Sequence, residues 1–152
     1  MSDGGVLRRD LTEFESRETD TAITYGGFVL KLMSTGHVDL AGADEISYGI
    51  ATKSTREFVP NVATGGAWTA ASGVQVPIQR VGEALVQLLA TNAVITLGEA
   101  LQTAAGGTVD EMTYGTTTPT LLELQSLVGI ALEGKGASAG GVIKVLLCIL
   151  WL

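Results

Sequence analysis

Residues able to carry chemistry are scarce in this chain. A single cysteine, Cys148, excludes any intrachain disulfide and any multi-cysteine zinc site. A single histidine, His37, is the only imidazole open to a catalytic triad. Nine Lys and Arg against sixteen Asp and Glu leave a net charge of −7 and a pI near 4.5. The basic residues are scattered, with Arg8-Arg9 the only adjacent pair, so nucleic acid is not an expected partner: displacing phosphate counterions needs clustered cations. No basic-then-apolar leader opens the chain, so no secretory signal is expected. The apolar C-terminal run Val142–Leu152, broken by Lys144, is too short for a spanning helix, which needs about 20 residues. A buried strand is expected there, with Cys148 acting as a small hydrophobe and no membrane partner.

Charge is also thin. Charged residues make up 16% of the chain and apolar residues 46%, where globular chains carry roughly 25% charged. With 152 residues the chain has the length of one domain with its own core. Too few charges then remain to cover a lone surface, and part of it is expected to lie against other copies or a partner.

What the sequence does have is the same β-unit twice. Gly27-Phe28-Val29-Leu30 aligns with Gly98-Glu99-Ala100-Leu101, and Gly36-His37-Val38-Asp39 with Gly107-Thr108-Val109-Asp110, each 71 positions on. After an unequal insertion Gly49-Ile50-Ala51 meets Gly129-Ile130-Ala131, and Gly65-Gly66 before Val74–Ile78 mirrors Gly140-Gly141 before Val142–Leu146. One such unit is too small to bury its apolar face alone, whereas two are expected to close on each other as a barrel.

Along the chain, strands are expected over 28–32, 37–40, 46–51, 74–78, 83–89 and 91–97, separated by Gly-, Asn- and Asp-rich turns. Leu85, Leu88 and Leu89 also fit one helical face, and Leu121–Leu127 fits either a helical turn or a strand. Pro77 cannot donate a ladder hydrogen bond, which predicts an edge or bulge for its strand and makes Val74, Val76, Pro77 and Ile78, with Trp151, the candidate subunit interface. Residues 1–22 form an N-terminal arm whose anchors are Val6, Leu7, Arg8, Arg9, Leu11 and Phe14. The spacing of Leu7, Leu11 and Phe14 fits a helix; a disordered tail and an arm that orders on a neighbour fit equally.

No reaction centre emerges. Ser34, His37 and Asp39 are near in sequence, but nearness gives no triad geometry, and Thr108 replaces the imidazole in the second unit. The adjacent acids Asp44-Glu45 and Asp110-Glu111 flank turns, where solvated charge is expected, and no spaced calcium-loop motif is present. Gly134–Gly141 has its lysine too early for a phosphate loop and leads into a strand, so a hairpin loop is expected. Neither cofactor nor metal is expected.

The order and spacing of these motifs resemble the small capsid decoration, or cement, proteins of tailed bacterial and archaeal viruses. The segments carrying the resemblance are Gly27–Leu32, Gly36–Asp39, Tyr48–Ala51, Val76–Gly82, Ala93–Leu101, Val128–Glu133 and Ala139–Leu147. It covers about residues 23–150 and leaves out the arm and the threonine-rich stretch 113–120. It implies a mainly β fold: a compact β-barrel or β-tulip-like domain over 23–152, with the extended arm in front. It further implies a non-enzymatic virion protein on the outer surface of the capsid. Its partners would be the major capsid protein and further copies of itself, as a homotrimer. A virion-surface module for a host receptor or glycan is the alternative, with Trp68 and Tyr114 as the aromatic pair.

Overall fold

The computed structural model describes residues 14–23, 26–52, 72–113 and 120–149. The strands are β1 (Phe14–Glu18), β2 (Val29–Leu32), β3 (Val38–Leu40), β4 (Gly49–Ala51), β5 (Gln75–Gln79), β6 (Glu83–Gln87), β7 (Ala100–Ala104), β8 (Thr108–Glu111), β9 (Leu127–Ala131) and β10 (Val142–Leu147). One short helix, α1 (Leu121–Gln125), precedes β9. The strands form two antiparallel sheets of five, ordered β1-β5-β4-β2-β3 and β6-β10-β9-β7-β8. Among the described residues no helix is long and apolar enough to cross a membrane.

The duplication read in the sequence is a duplication of register. Leu30 pairs with Gly49 in the first sheet as Leu101 pairs with Gly129 in the second. Ala51 opposes Ile78 as Ala131 opposes Val145, and Leu32 opposes Val38 as Thr103 opposes Val109. Turn bonds match too: Gly27 N–H donates to Ala51 O at 2.7 Å, and Gly98 N–H to Ala131 O at 2.8 Å. The outer strands complete the match, since Phe14 pairs with Gln79 as Glu83 pairs with Leu146.

Each unit therefore builds its own sheet, and the two do not merge into one closed barrel. Each sheet curls until its edges touch at one parallel bridge, Thr19 with Val38 in the first and Leu88 with Val109 in the second. One bridge is not a ladder, so neither sheet is closed. Inside the first curl lie Ile23, Leu30, Val38, Ala51, Val76 and Ile78. Leu101, Val109, Val128, Ile143 and Val145 pack together in the second, and Val29, Ala41 and Ile50 reach across from the first sheet to join them. Fully burying each such aliphatic side chain contributes about 1.5–3 kcal/mol.

β10 shows why the strands sit as they do. Ile143, Val145 and Leu147 are buried, while Lys144 and Leu146 face out, as the two-residue period of a strand requires. Position 129 must be small: a Cβ there would run into Leu146 O and stand 2.6 Å from Val145 Cγ1. Its counterpart Gly49 lies against Ile78 and Gln79 in the same way.

Three expectations are corrected. The strand bearing Pro77 is not an edge, because β1, read as part of the arm, covers it. Pro77 is tolerated because its carbonyl accepts from Thr52 N–H at 2.9 Å, so the pairing beyond the end of β4 lacks only the return bond. Val76 and Ile78 are wholly buried in the protomer's own core, so they are not interface residues; Val74, 45% exposed, is available. Thr91–Leu97 is no strand but a turn and irregular chain with one bridge, Ile95 to Lys135. Leu85 and Leu88 take the strand alternative: β6 runs to Gln87 and Leu88 forms the bridge to Val109.

The first seam carries a titrating pair that the second lacks. His37 Nδ1 lies 2.7 Å from Asp20 Oδ1, and its Nε2 lies 3.7 Å from Glu18, tying the β1 end to the β2–β3 turn. The hydrogen bond to Asp20, outweighing some desolvation and helped by the charge of Glu18, raises the His37 pKa above its ordinary 6.5. The folded state thus holds the proton more tightly than the unfolded chain. The contribution is whole below the ordinary value and is lost as pH climbs through the raised one.

Two outcomes follow. Gly129→Ala should lower the unfolding free energy by about 1–3 kcal/mol through overpacking, whereas Gly136→Ala, with open space around it, should stay within about 0.5 kcal/mol of wild type; denaturant titration measures both. The melting-temperature gap between wild type and His37→Gln should be wider at about pH 5.5 than at about pH 8.5. An equal gap at both would show that the seam does not depend on the imidazolium.

Candidate functional site

An open cleft of about 670 Å³ lies at the end of the first sheet, where it meets α1. Lys31 and Leu32 come from the end of β2, Ala43–Ser47 from the β3–β4 loop, Tyr48 and Arg80 from residues flanking β4 and β5, and Leu122 from α1. Local sequence fixes each wall. Thr120 caps α1, its hydroxyl accepting from Glu123 N–H at 3.2 Å while Glu123 Oε2 accepts from Thr120 N–H at 2.7 Å. Such a capping box contributes about 1 kcal/mol and holds a helix otherwise too short to persist. The loop wall is held by Ser47, whose N–H donates to Gln125 O at 3.1 Å and whose hydroxyl donates to Leu127 O at 2.6 Å. Thr103 Oγ1 donates to Glu45 O at 2.7 Å from β7.

The polar groups of the cleft are largely occupied. Lys31 Nζ sits 2.9 Å from Glu45, and that bond, with the N–H of Gly42, holds the Glu45 carboxyl below its usual range. Tyr48 lies between two guanidinium groups, Arg80 Cζ at 4.1 Å and Arg17 Cζ at 5.4 Å from its ring centre. Its hydroxyl donates to Glu15 and accepts from Arg17 Nε at 3.0 Å. Burial, then the bond to Glu15, push the phenol pKa up, so Tyr48 stays neutral. The rest of the lining holds the Asp44 carboxylate and three aliphatic side chains left in water: Leu32, Ile46 and Leu122 are 46%, 45% and 51% exposed. A neutral ring, a paired Lys31 and Glu45 and exposed aliphatics suit the binding of a chain or a surface.

The residues weighed for chemistry do not assemble. His37 faces Asp20 and Glu18 rather than Asp39, whose Oδ1 accepts from the Thr21 hydroxyl and Leu40 N–H. Of the turn acids, Asp110 Oδ1 accepts from the N–H groups of Ala93 and Glu111, and Glu45 is committed as above. Among the described residues no three His, Cys, Asp or Glu come together to hold a metal. Gly134–Gly141 links β9 to β10. It is strapped by the buried Asn92, which donates to Gly136 O at 2.9 Å and accepts from Gly140 N–H at 3.0 Å. Val6, Leu7, Arg8, Arg9, Leu11, Trp68, Tyr114 and Trp151 lie outside the described residues, and Phe14 opens β1.

Two features of the site escaped the sequence reading. The Thr120–Glu123 capping box was legible as Thr-x-x-Glu before an apolar run. The Tyr48 stack was not, because Glu15, Arg17 and Arg80 meet it only through strand pairing.

No protein-family model and no curated protein matches the chain. Among solved structures it is similar to the N base of the head fiber gp8.5 of bacteriophage phi29. That likeness has a TM-score of 0.52 and 12% identity, covering 93% of this chain and all of that one. At that identity the likeness shows a shared fold, one that runs through both sheets.

Proposed function

We propose that this chain is a structural protein of a tailed virus, seated on the outer surface of the assembled capsid. There it would bridge subunits of the major capsid protein and stabilise the shell. The observation that carries the reading is the likeness of nearly the whole chain to a phage head-fiber base. The chemistry agrees with it. The sole histidine and the carboxylates of Glu45 and Asp110 serve the fold, and the cleft offers apolar side chains where a partner surface would seat.

A protein that binds only the mature lattice stabilises it by mass action, about 2.7 kcal/mol for one site at 100 times its dissociation constant. That effect recurs over every site of a shell and requires no catalysis. A net charge of −7 fits a position outside the packaged genome. The N-terminal segment with Val6, Leu7, Arg8, Arg9 and Leu11 is proposed to reach the capsid or a neighbouring copy once the protein sits on the head. Three copies around a local threefold would meet through unlike patches, one of them near Val74.

Purified protein added to mature heads that lack it should appear by electron cryomicroscopy as density outside the shell, and unexpanded shells should take up less. Heads bearing none on the outer surface would overturn the proposal. Light scattering at high concentration should give the mass of three chains; a monomer mass would confine the trimer to the capsid.

A further inference from the structure

The cleft beside α1 leaves three aliphatic side chains in water, and the described chain starts at its rim. Phe14 pairs with Gln79, the residue before Arg80, and Glu15 accepts a hydrogen bond from the Tyr48 hydroxyl; both Arg80 and Tyr48 line the cleft. From this geometry we infer that, in the free protein, residues 1–13 of the same chain fold back and seat Leu7 and Leu11 in this cleft, over Leu32, Ile46 and Leu122.

Reach and composition both favour this occupant. Leu11 stands three residues before Phe14, a span of at most about 11 Å, so it cannot stray far from the rim. Val6, Leu7 and Leu11 supply aliphatic side chains to cover the exposed Leu32, Ile46 and Leu122. Arg8-Arg9 complements Asp44, a cleft carboxylate with no ion pair among the described residues. A tether this short raises the effective concentration to the millimolar range, above that of any free second copy.

The other segments fit less well. Residues 53–71 run into Ser72 and Gly73 at the opposite end of β1, where Gly73 N–H donates to Thr19 O and Ser72 Oγ to Asp20 O, about 17 Å along the strand. Residues 114–119, Tyr-Gly-Thr-Thr-Thr-Pro, contain no aliphatic side chain. Leu150–Leu152 follows Cys148, whose N–H binds Val128 on the β10 side of β9, whereas Glu45 and Thr103 join the cleft wall to β7 on its other side.

The seat rests on the capsid reading only for its consequence: it shelters an apolar arm until a contact on the head replaces it. In a Cys148→Ser background, Leu11→Cys with Leu122→Cys should form a disulfide within one chain when oxidised at low micromolar concentration. A bond only between two chains, or no bond, would overturn the inference. In the full chain, Leu7→Asp with Leu11→Asp should speed amide hydrogen exchange over Asp44–Tyr48 and Leu122–Leu124 by about fivefold or more, and unchanged rates would likewise overturn it. Neither measurement involves a capsid, so either idea can fail while the other stands.

Discussion

The close approach of two strands at a side-chain-free position sets the shape of both sheets. At Gly49 and at Gly129 the neighbouring strand lies where a Cβ would be, against Ile78 and Val145 at equivalent places. The curl formed around these positions brings each sheet's first strand round to its last and creates the single bridges at Val38 and Val109. The interior is then a small, tightly filled space that aliphatic side chains of one face can occupy without help from metal or disulfide.

Because both halves obey the same registers, their differences stand out against a common frame. Where the second seam is apolar, with Leu88 and Leu89 against Val109, the first places Asp20 and Glu18 against His37. At the end of the first sheet Tyr48 is clasped by two guanidinium groups, and α1, capped by Thr120, adds a leucine-bearing wall. The surface features that bear on binding all arise where the copies diverge. That is how a duplicated scaffold gains one distinctive face without altering its core.

Glycine positions and strand alternation were readable because they are local. The Gly-Ile-Ala strands, the Ser34-Thr35-Gly36 turn and the alternation of Val142–Leu147 appear where the sequence puts them. Phe14–Glu18 was misread because a strand of mixed charge and no clean period has no local signature; its pairing with β5 makes it one. Thr91–Leu97 erred the other way: an apolar run there turns around the buried Asn92 instead of extending. Pro77 argued for an edge by a sound rule, but the missing donor falls where β4 has already ended.

The sequence by itself determined that the chain is duplicated, mainly β and poor in chemistry-bearing residues, since composition and short-range spacing encode those properties directly. Only the tertiary structure decided that each unit curls into its own sheet, that β1 shields β5, and that His37 meets Asp20 rather than Asp39. Those outcomes depend on pairings between residues far apart along the chain, such as Phe14 with Gln79 and Glu83 with Leu146. Such contacts are set by the fit of whole faces in three dimensions, and no local pattern records them.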